Sequence, residues 1–373
     1  MFTAVDEELD FILKLVQDSY EIKNRGRLGG GPKDVREIVI LGRIGKLQSW
    51  GLSWQADPRH REMILEHFGM DERTKSLSKN GYKEEVPNEG EQEEELQADE
   101  AREFRGLAAR AYYLAQDDPS IQFPAKEICR SMAQPTASDF GKLKRLVRFS
   151  VGVDEVKFRY PWQAEEKTRG LKVIVDSDWA GCKVSRKSTS GGIVRLGEHM
   201  VKSWSTTQPT IALSSGEAEF YAMAEGAARG LGMRNMLAEL GLECASYWLC
   251  TDSSAAKSFA SRRGLGKMRH IDVKHLWLQD LVKKGETRLA KVLGDRNPAD
   301  LFTKYLDRAR IKMLGKIAGC DIRLPADAEG ECRYKPIDIE RDLYEPMVRT
   351  DVDPSPFGSS DQQLRAIETV FTW

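Results

Sequence analysis

Between Leu171 and Leu301, apolar runs alternate with turn signals in an order that predicts a mixed sheet with helices on its faces. Residues 171–175 form an apolar strand that ends at Asp176. Residues 190–196 and 200–205 flank Gly197-Glu198 and read as a hairpin. Ser214 opens a long helix to about Leu240, stopped by Gly241 as a C-terminal cap. Residues 247–251 are a strand ending at Asp252, and a helix follows from about Ser254. After a basic loop (Arg262, Arg263, Lys267, Arg269, His270), residues 272–284 are helical and 287–293 form a last strand. Pro298 then starts a final helix.

Upstream the pattern is smaller in scale. Leu9, Ile12, Leu13 and Val16 follow a helical stripe, and Gly29-Gly30-Gly31-Pro32 breaks it. No Gly-Lys-Ser/Thr follows these glycines, so they are no nucleotide loop. Residues 37–44 have β-branched character, and a helix over 57–68 ends at Gly69. Residues 71–103 are acidic with almost no large apolar side chains, which predicts a linker. Helices follow at 104–114, 121–132 and 137–147, the last with a basic face of Lys142, Lys144, Arg145 and Arg148. The expected division is 1–70, an acidic linker 71–103, a helical connection segment 104–165, an α/β domain 166–310 and a Pro-rich acidic tail 311–373.

Charge sharpens this picture. The net charge is −1, yet residues 140–310 hold 30 Lys and Arg against 19 Asp and Glu. A basic middle between acidic flanks suits a polyanion partner. No window approaches the roughly 20 continuous apolar residues of a membrane span, and the acidic N-terminus resembles no secretory signal. Six cysteines without a Cys-x-x-Cys pair argue against structural zinc and suit reduced thiols. An intracellular site, a cytoplasmic particle or the nucleus, is expected.

The candidate chemistry lies in carboxylates that end apolar runs or open helices, where they can reach a shared site. Asp176 ends a strand; Asp178 shares its face, but Trp179-Ala180-Gly181 reads as a turn, which favours Asp176. Glu217 and Glu219 stand about 200° apart on their helix. Glu217 fits a capping box opened by Ser214, whereas Glu219 shares the sheet-facing side with Met223 and Gly226. Asp252 follows a buried strand, and Ser253 or Ser254 can take the cap in its place. Asp300 has a purely structural account, as the acid of an Asn297-capped, Pro298-initiated helix. Four converging carboxylates suit two Mg²⁺ ions about 4 Å apart across a phosphodiester, with Mn²⁺ as a substitute. His270 and His275 are spaced one residue too far for a helical metal pair. Arg186, Lys187 and the loop through Arg269 suit phosphate contacts, with Trp204 as a sugar-stacking surface.

Seven segments together resemble the ribonuclease H region of copia-type LTR retrotransposon Pol polyproteins. They are Asp176-Ser-Asp-Trp-Ala-Gly, Arg186-Lys-Ser-Thr-Ser-Gly, Ser203-Trp-Ser, Ala212-Leu-Ser-Ser-Gly-Glu-Ala-Glu-Phe220, Asp252-Ser-Ser-Ala-Ala, Arg269-His-Ile-Asp272 and Ala299-Asp-Leu-Phe-Thr-Lys304. The resemblance implies a ribonuclease H-like mixed five-stranded sheet flanked by helices, preceded by a smaller α+β or helical connection region. It also implies Mg²⁺-dependent endonucleolytic hydrolysis of the RNA strand of RNA–DNA hybrids, with Asp176, Glu219, Asp252 and Asp300 as catalytic metal ligands. The alternative is a retrotransposon remnant that binds nucleic acid without cleaving it. Residues 104–121 and 142–146 resemble the segment joining reverse transcriptase to ribonuclease H, and residues 20–23 and 67–70 resemble the end of the reverse transcriptase. The Tyr-x-Asp-Asp polymerase box is absent, so residues 1–70 are expected to be a reverse transcriptase remnant without polymerase activity. Gly294-Asp-Arg-Asn297 lacks the histidine that many cellular ribonucleases H place before their last aspartate. The expected partners are the hybrid and other parts of the polyprotein, with no membrane.

Overall fold

The computed structural model describes residues 6–82, 94–266 and 270–323. It contains two five-stranded sheets. The first unit begins with helix α1 (Asp6–Ser19), which buries none of its residues. A meander of β1 (Glu37–Ile40), β2 (Arg43–Gln48) and β3 (Gly51–Ala56) follows, then α2 (Arg59–His67). Three helices come next: α3 (Ala98–Leu114), α4 (Gln122–Cys129) and α5 (Ala137–Ser150). Helix α3 starts at Ala98, inside the stretch read as linker, because Gln97 and Glu100 form a capping box that outweighs the local acidity. The basic face expected on α5 is largely engaged. Lys142 meets Asp139 at 2.5 Å, Arg145 lies over the Tyr82 ring and Arg148 donates to the Lys75 carbonyl.

Strand β4 (Glu155–Pro161) lies in the segment expected to be helical. Val156 and Phe158 point into the core while Lys157 and Arg159 stay more exposed, the period-2 pattern of a half-buried strand. A short helix α6 (Glu165–Thr168) leads into the second unit: β5 (Gly170–Asp178), β6 (Thr189–Leu196), β7 (His199–Thr207), α7 (Ser215–Glu239), β8 (Ser246–Thr251), α8 (Ser254–Ser261), α9 (Trp277–Lys283) and β9 (Arg288–Lys291). The strand order is β7-β6-β5-β8-β9, with β5, β6 and β7 antiparallel and β8 and β9 parallel to their neighbours. This is the expected five-stranded mixed sheet flanked by helices. Gly197 and Gly241, both with positive φ, form the hairpin tip and the end of α7.

Each face of this sheet meets a different layer. Leu171, Val173, Val175 and Leu249 pack on α7, α8 and α9, whereas Ile174, Ile193 and Cys250 face Leu301, Phe302 and the core of the first unit. Both faces are therefore covered, which is why β5 and β6 read as nearly continuous buried runs.

The chain then returns to the first unit. A 3-10 helix (Pro298–Phe302) is followed by α10 (Arg308–Ala318) and β10 (Cys320–Arg323), and β10 pairs with β4, Ile322 opposite Val156. Residues 311–323 were expected in an acidic tail. They are structured because Ile311, Leu314 and Ile317 recur on one helical face and are buried. Arg195, 1% exposed, ties the join by donating to the carbonyls of Ile317 and Glu198, each at 2.7 Å. The rest of the expected tail, 324–373, lies outside the described residues.

Candidate metal centre

Strand β5 continues two residues beyond Asp176, because β6 still pairs with it at Asp178 opposite Thr189. Asp176 thus lies inside the strand rather than at its end. It faces away from α7, on the side of Ile174, and is 1% exposed. On that face the cover is the 3-10 helix bearing Asp300, so a mid-strand acid reaches a shared site after all. Asp252 is the first residue after β8. Ser253 caps α8, its Oγ accepting from the Ala256 amide at 3.2 Å, so Asp252 is not the cap. Asp300 follows Asn297, which caps through Ala299 and also donates to the Val175 carbonyl at 3.1 Å. That second bond pins the 3-10 helix to the strand carrying Asp176.

Among the described residues these three acids form one metal-competent group: one oxygen from each lies within 4.8 Å of the others. Glu219 stands beside this trio and outside it. Met223 and Gly226 lie against the sheet, and Glu219 Oε1 accepts from the Ser177 amide at 3.3 Å. Among the described residues Glu219 Oε2 is buried with no hydrogen-bond partner. A buried carboxylate oxygen without a donor is costly, and a hard divalent cation removes that cost. The donor set therefore fits a divalent ion.

Electrostatics point the same way. Burial pushes Glu219 up to about 9, and the charges of Asp176 and Asp252 add to it. Burial likewise pushes Asp176 up to about 7, partly offset by Lys304 and reinforced by Asp300 and Asp252. Burial raises Asp252 as well. Cations contributed by the chain compensate in part. Lys304 Nζ lies 2.6 Å from Asp300 Oδ1 and 3.3 Å from Asp176 Oδ1. Arg310 Nη2 lies 3.1 Å from Asp300 Oδ2, and Thr303 donates to Asp176 Oδ2. Burial disfavours the Lys304 ammonium, but Asp176 and Asp300 outweigh it and hold its pKa above the usual lysine value. Sequence reasoning assigned Lys304 no role, although its place four residues after Asp300 was a signal.

Glu217 faces elsewhere. Its carboxylate accepts from the Leu213 amide at 2.8 Å and the Tyr221 hydroxyl at 2.6 Å, and its Oε2 lies 2.7 Å from His270 Nε2. The cap contact comes from Leu213 rather than Ser214, while Ser214 Oγ accepts from the Glu217 amide. His275 packs on the Tyr221 ring at 4.3 Å.

The nucleic-acid candidates separate. Arg186, exposed, and Lys187, half-buried, lie on the turn between β5 and β6, at the end of the sheet toward which Asp176 lies. Trp204, expected as a sugar-stacking surface, is instead 4% exposed, packed on Gly192 with the Arg229 guanidinium 4.9 Å from its ring centre. Its rings are core and offer no stacking face, because a strand partner lacking a Cβ lets the indole sink into the sheet. Arg269 lies outside the described residues. Among the described residues no helix is long and apolar enough to cross a membrane.

No protein-family model matches the chain. It is 27% identical over 233 residues, 62% of its length, to the retrovirus-related Pol polyprotein from transposon RE2 of Arabidopsis thaliana. It is 29% identical over 150 residues, 40% of its length, to the retrovirus-related Pol polyprotein from transposon TNT 1-94 of Nicotiana tabacum. The matched regions span 16% and 11% of those curated relatives. Among solved structures it is similar to the N-terminal RNase H domain of rv2228c from Mycobacterium tuberculosis, fused to maltose binding protein, at TM-score 0.26 and 16% identity, covering 36% of this chain and 90% of that one. It is also similar to the foamy viral protease-reverse transcriptase in complex with dsDNA, at TM-score 0.44 and 9% identity, covering 70% of this chain and 46% of that one. The homologues of this chain are retrovirus-related Pol polyproteins of copia-type transposons from Arabidopsis and tobacco.

Proposed function

We propose that the chain is a Mg²⁺-dependent ribonuclease H that hydrolyses the RNA strand of RNA–DNA hybrids within a retrotransposon Pol polyprotein. The observation that carries this reading is the meeting of Asp176, Asp252 and Asp300, from three separate elements, within 4.8 Å. The buried, partnerless oxygen of Glu219 supports it. Asp176, Glu219, Asp252 and Asp300 would hold two Mg²⁺ ions, which would supply an activated water and stabilise the leaving 3′ oxygen. Asp176, flanked by the other acids, is the residue suited to serve both ions. The protein's own part is to keep the four acids fixed, through Asn297, Thr303 and the Ser177 amide, so that they need no reorganisation when substrate arrives. Arg186 and Lys187 contact the phosphate backbone, and the proton for the leaving group comes from water. The rest of the polyprotein and the hybrid are the partners, met inside the cell.

The test is cleavage of an end-labelled hybrid by the chain in Mg²⁺, compared with Asp252→Asn. Loss of cleavage in the variant supports the assignment, and unchanged activity refutes it. Salt-sensitive hybrid binding without turnover in Mg²⁺ or Mn²⁺ identifies a non-cleaving remnant instead.

A further inference from the structure

Asp176 is neutralised unequally on its two sides. Toward Asp300 the Lys304 ammonium bridges the pair, 2.6 Å from Asp300 Oδ1 and 3.3 Å from Asp176 Oδ1. Toward Glu219, the carboxylate Oε2 has no hydrogen-bond partner among the described residues. A divalent ion shared by Asp176 and Asp300 needs these same oxygens at about 2.0–2.1 Å for Mg²⁺. It cannot share that point with an ammonium nitrogen.

We propose that Lys304 is a tethered counter-cation that occupies the position between Asp176 and Asp300 and must withdraw before a divalent ion enters there. The proposal rests on the metal-dependent reading above and adds an order to it. The first ion binds on the side of Asp176, Glu219 and Asp252; the second displaces Lys304. The geometry lets the lysine leave. Its side chain is 37% exposed, and its backbone is anchored by the Lys304 amide donating to the Asp300 carbonyl at 3.1 Å. The flexible stem can therefore swing to solvent without moving the 3-10 helix. Arg310 stays on Asp300 Oδ2, so Asp300 remains oriented after the exchange.

The experiment is equilibrium binding of Mn²⁺ alone to the full chain, with free Mn²⁺ counted by electron paramagnetic resonance. The wild type is expected to show one tighter and one weaker site. Lys304→Met is expected to tighten the weaker site at least tenfold and leave the tighter one within about twofold. Lys304→Gln, which keeps a hydrogen-bond donor for the acids, guards against a folding failure and is expected to act in the same direction. Lys304→Arg retains the charge and is expected to keep the weaker site weak. In melting experiments without metal, Lys304→Met is expected to unfold earlier than wild type and to gain more from added Mn²⁺. Two equal sites in the wild type, or a second site no tighter in both neutral variants, overturn the proposal while leaving the metal centre standing. Absence of Mn²⁺ binding in every chain overturns both.

Discussion

Asp176 and Asp252 stand at the same level of two neighbouring parallel strands. Ile174 pairs with Cys250, and each aspartate follows two residues later. The sheet register therefore carries the two acids to the same end of neighbouring strands. Carboxylates about 4 Å apart repel by roughly 4 kcal/mol at an effective dielectric near 20. Asp252→Asn is expected to raise metal-free stability by about 1 kcal/mol while lowering hybrid cleavage on the order of 100-fold. Calorimetry in EDTA and a gel cleavage assay read the two effects. A variant that is both less stable and fully active contradicts the site.

Gly191 lies opposite Asp176 in the β5–β6 ladder. A Cβ there meets Phe302 Cβ and Thr303 Cγ2, each at 2.7 Å. Gly191→Ala is expected to lift the 3-10 helix off the sheet and move Asp300 with it. The expected cost is about 1–3 kcal/mol, the usual range for overpacking. Cleavage should fall by more than the folded fraction does, and Mn²⁺ affinity should drop with it. Full activity at reduced stability means that the position of Asp300 is not critical.

Asp176 and Glu219 are raised to about 7 and about 9 from ordinary values of 3.8 and 4.5. Folded, metal-free protein thus holds protons that the unfolded chain has already lost. Their stabilisation is complete below about pH 4 and is lost as pH rises through 7 toward 9. In EDTA the melting temperature is expected to fall between pH 5 and 9, and Mg²⁺ is expected to flatten that slope. Binding of Mn²⁺ at pH 7 should release protons, measurable in weak buffer. A metal-free melting temperature that climbs across this window contradicts the protonation states.

A chain ending at residue 310 removes Ile311, Leu314, Ile317 and Ile322, all buried. At roughly 1.5–3 kcal/mol each, their loss is about 6–12 kcal/mol, comparable with the whole stability of about 5–15 kcal/mol of a typical protein. It also removes β10 from the edge of β4. That chain is expected to aggregate, whereas one ending at residue 323 melts cooperatively. Cooperative melting of the shorter chain refutes this account of α10 and β10.

The second sheet was legible because its signals are local and strong: apolar β5 and β8, the Gly197 turn and the Ser214-to-Gly241 helix. Asp252 and Asp300 were legible because each sits at a boundary of that pattern, whereas Asp176 lies inside β5, two residues before its end. Strands β4 and β10 were not, since Glu155–Pro161 and Cys320–Arg323 are short and stable only against each other, some 160 residues apart. Their pairing is a tertiary fact with little local trace. Trp204 misled for the same reason. Aromatic character suggests a platform, while burial is decided by Gly192 on the neighbouring strand. The capping of α3 at Gln97 was readable, but the surrounding acids obscured it.

Because β4 precedes the second unit and β10 follows it, that unit is spliced into the first sheet like a long insertion between adjacent strands. Proteolytic trimming from either terminus cannot liberate it intact without tearing a strand from its neighbour.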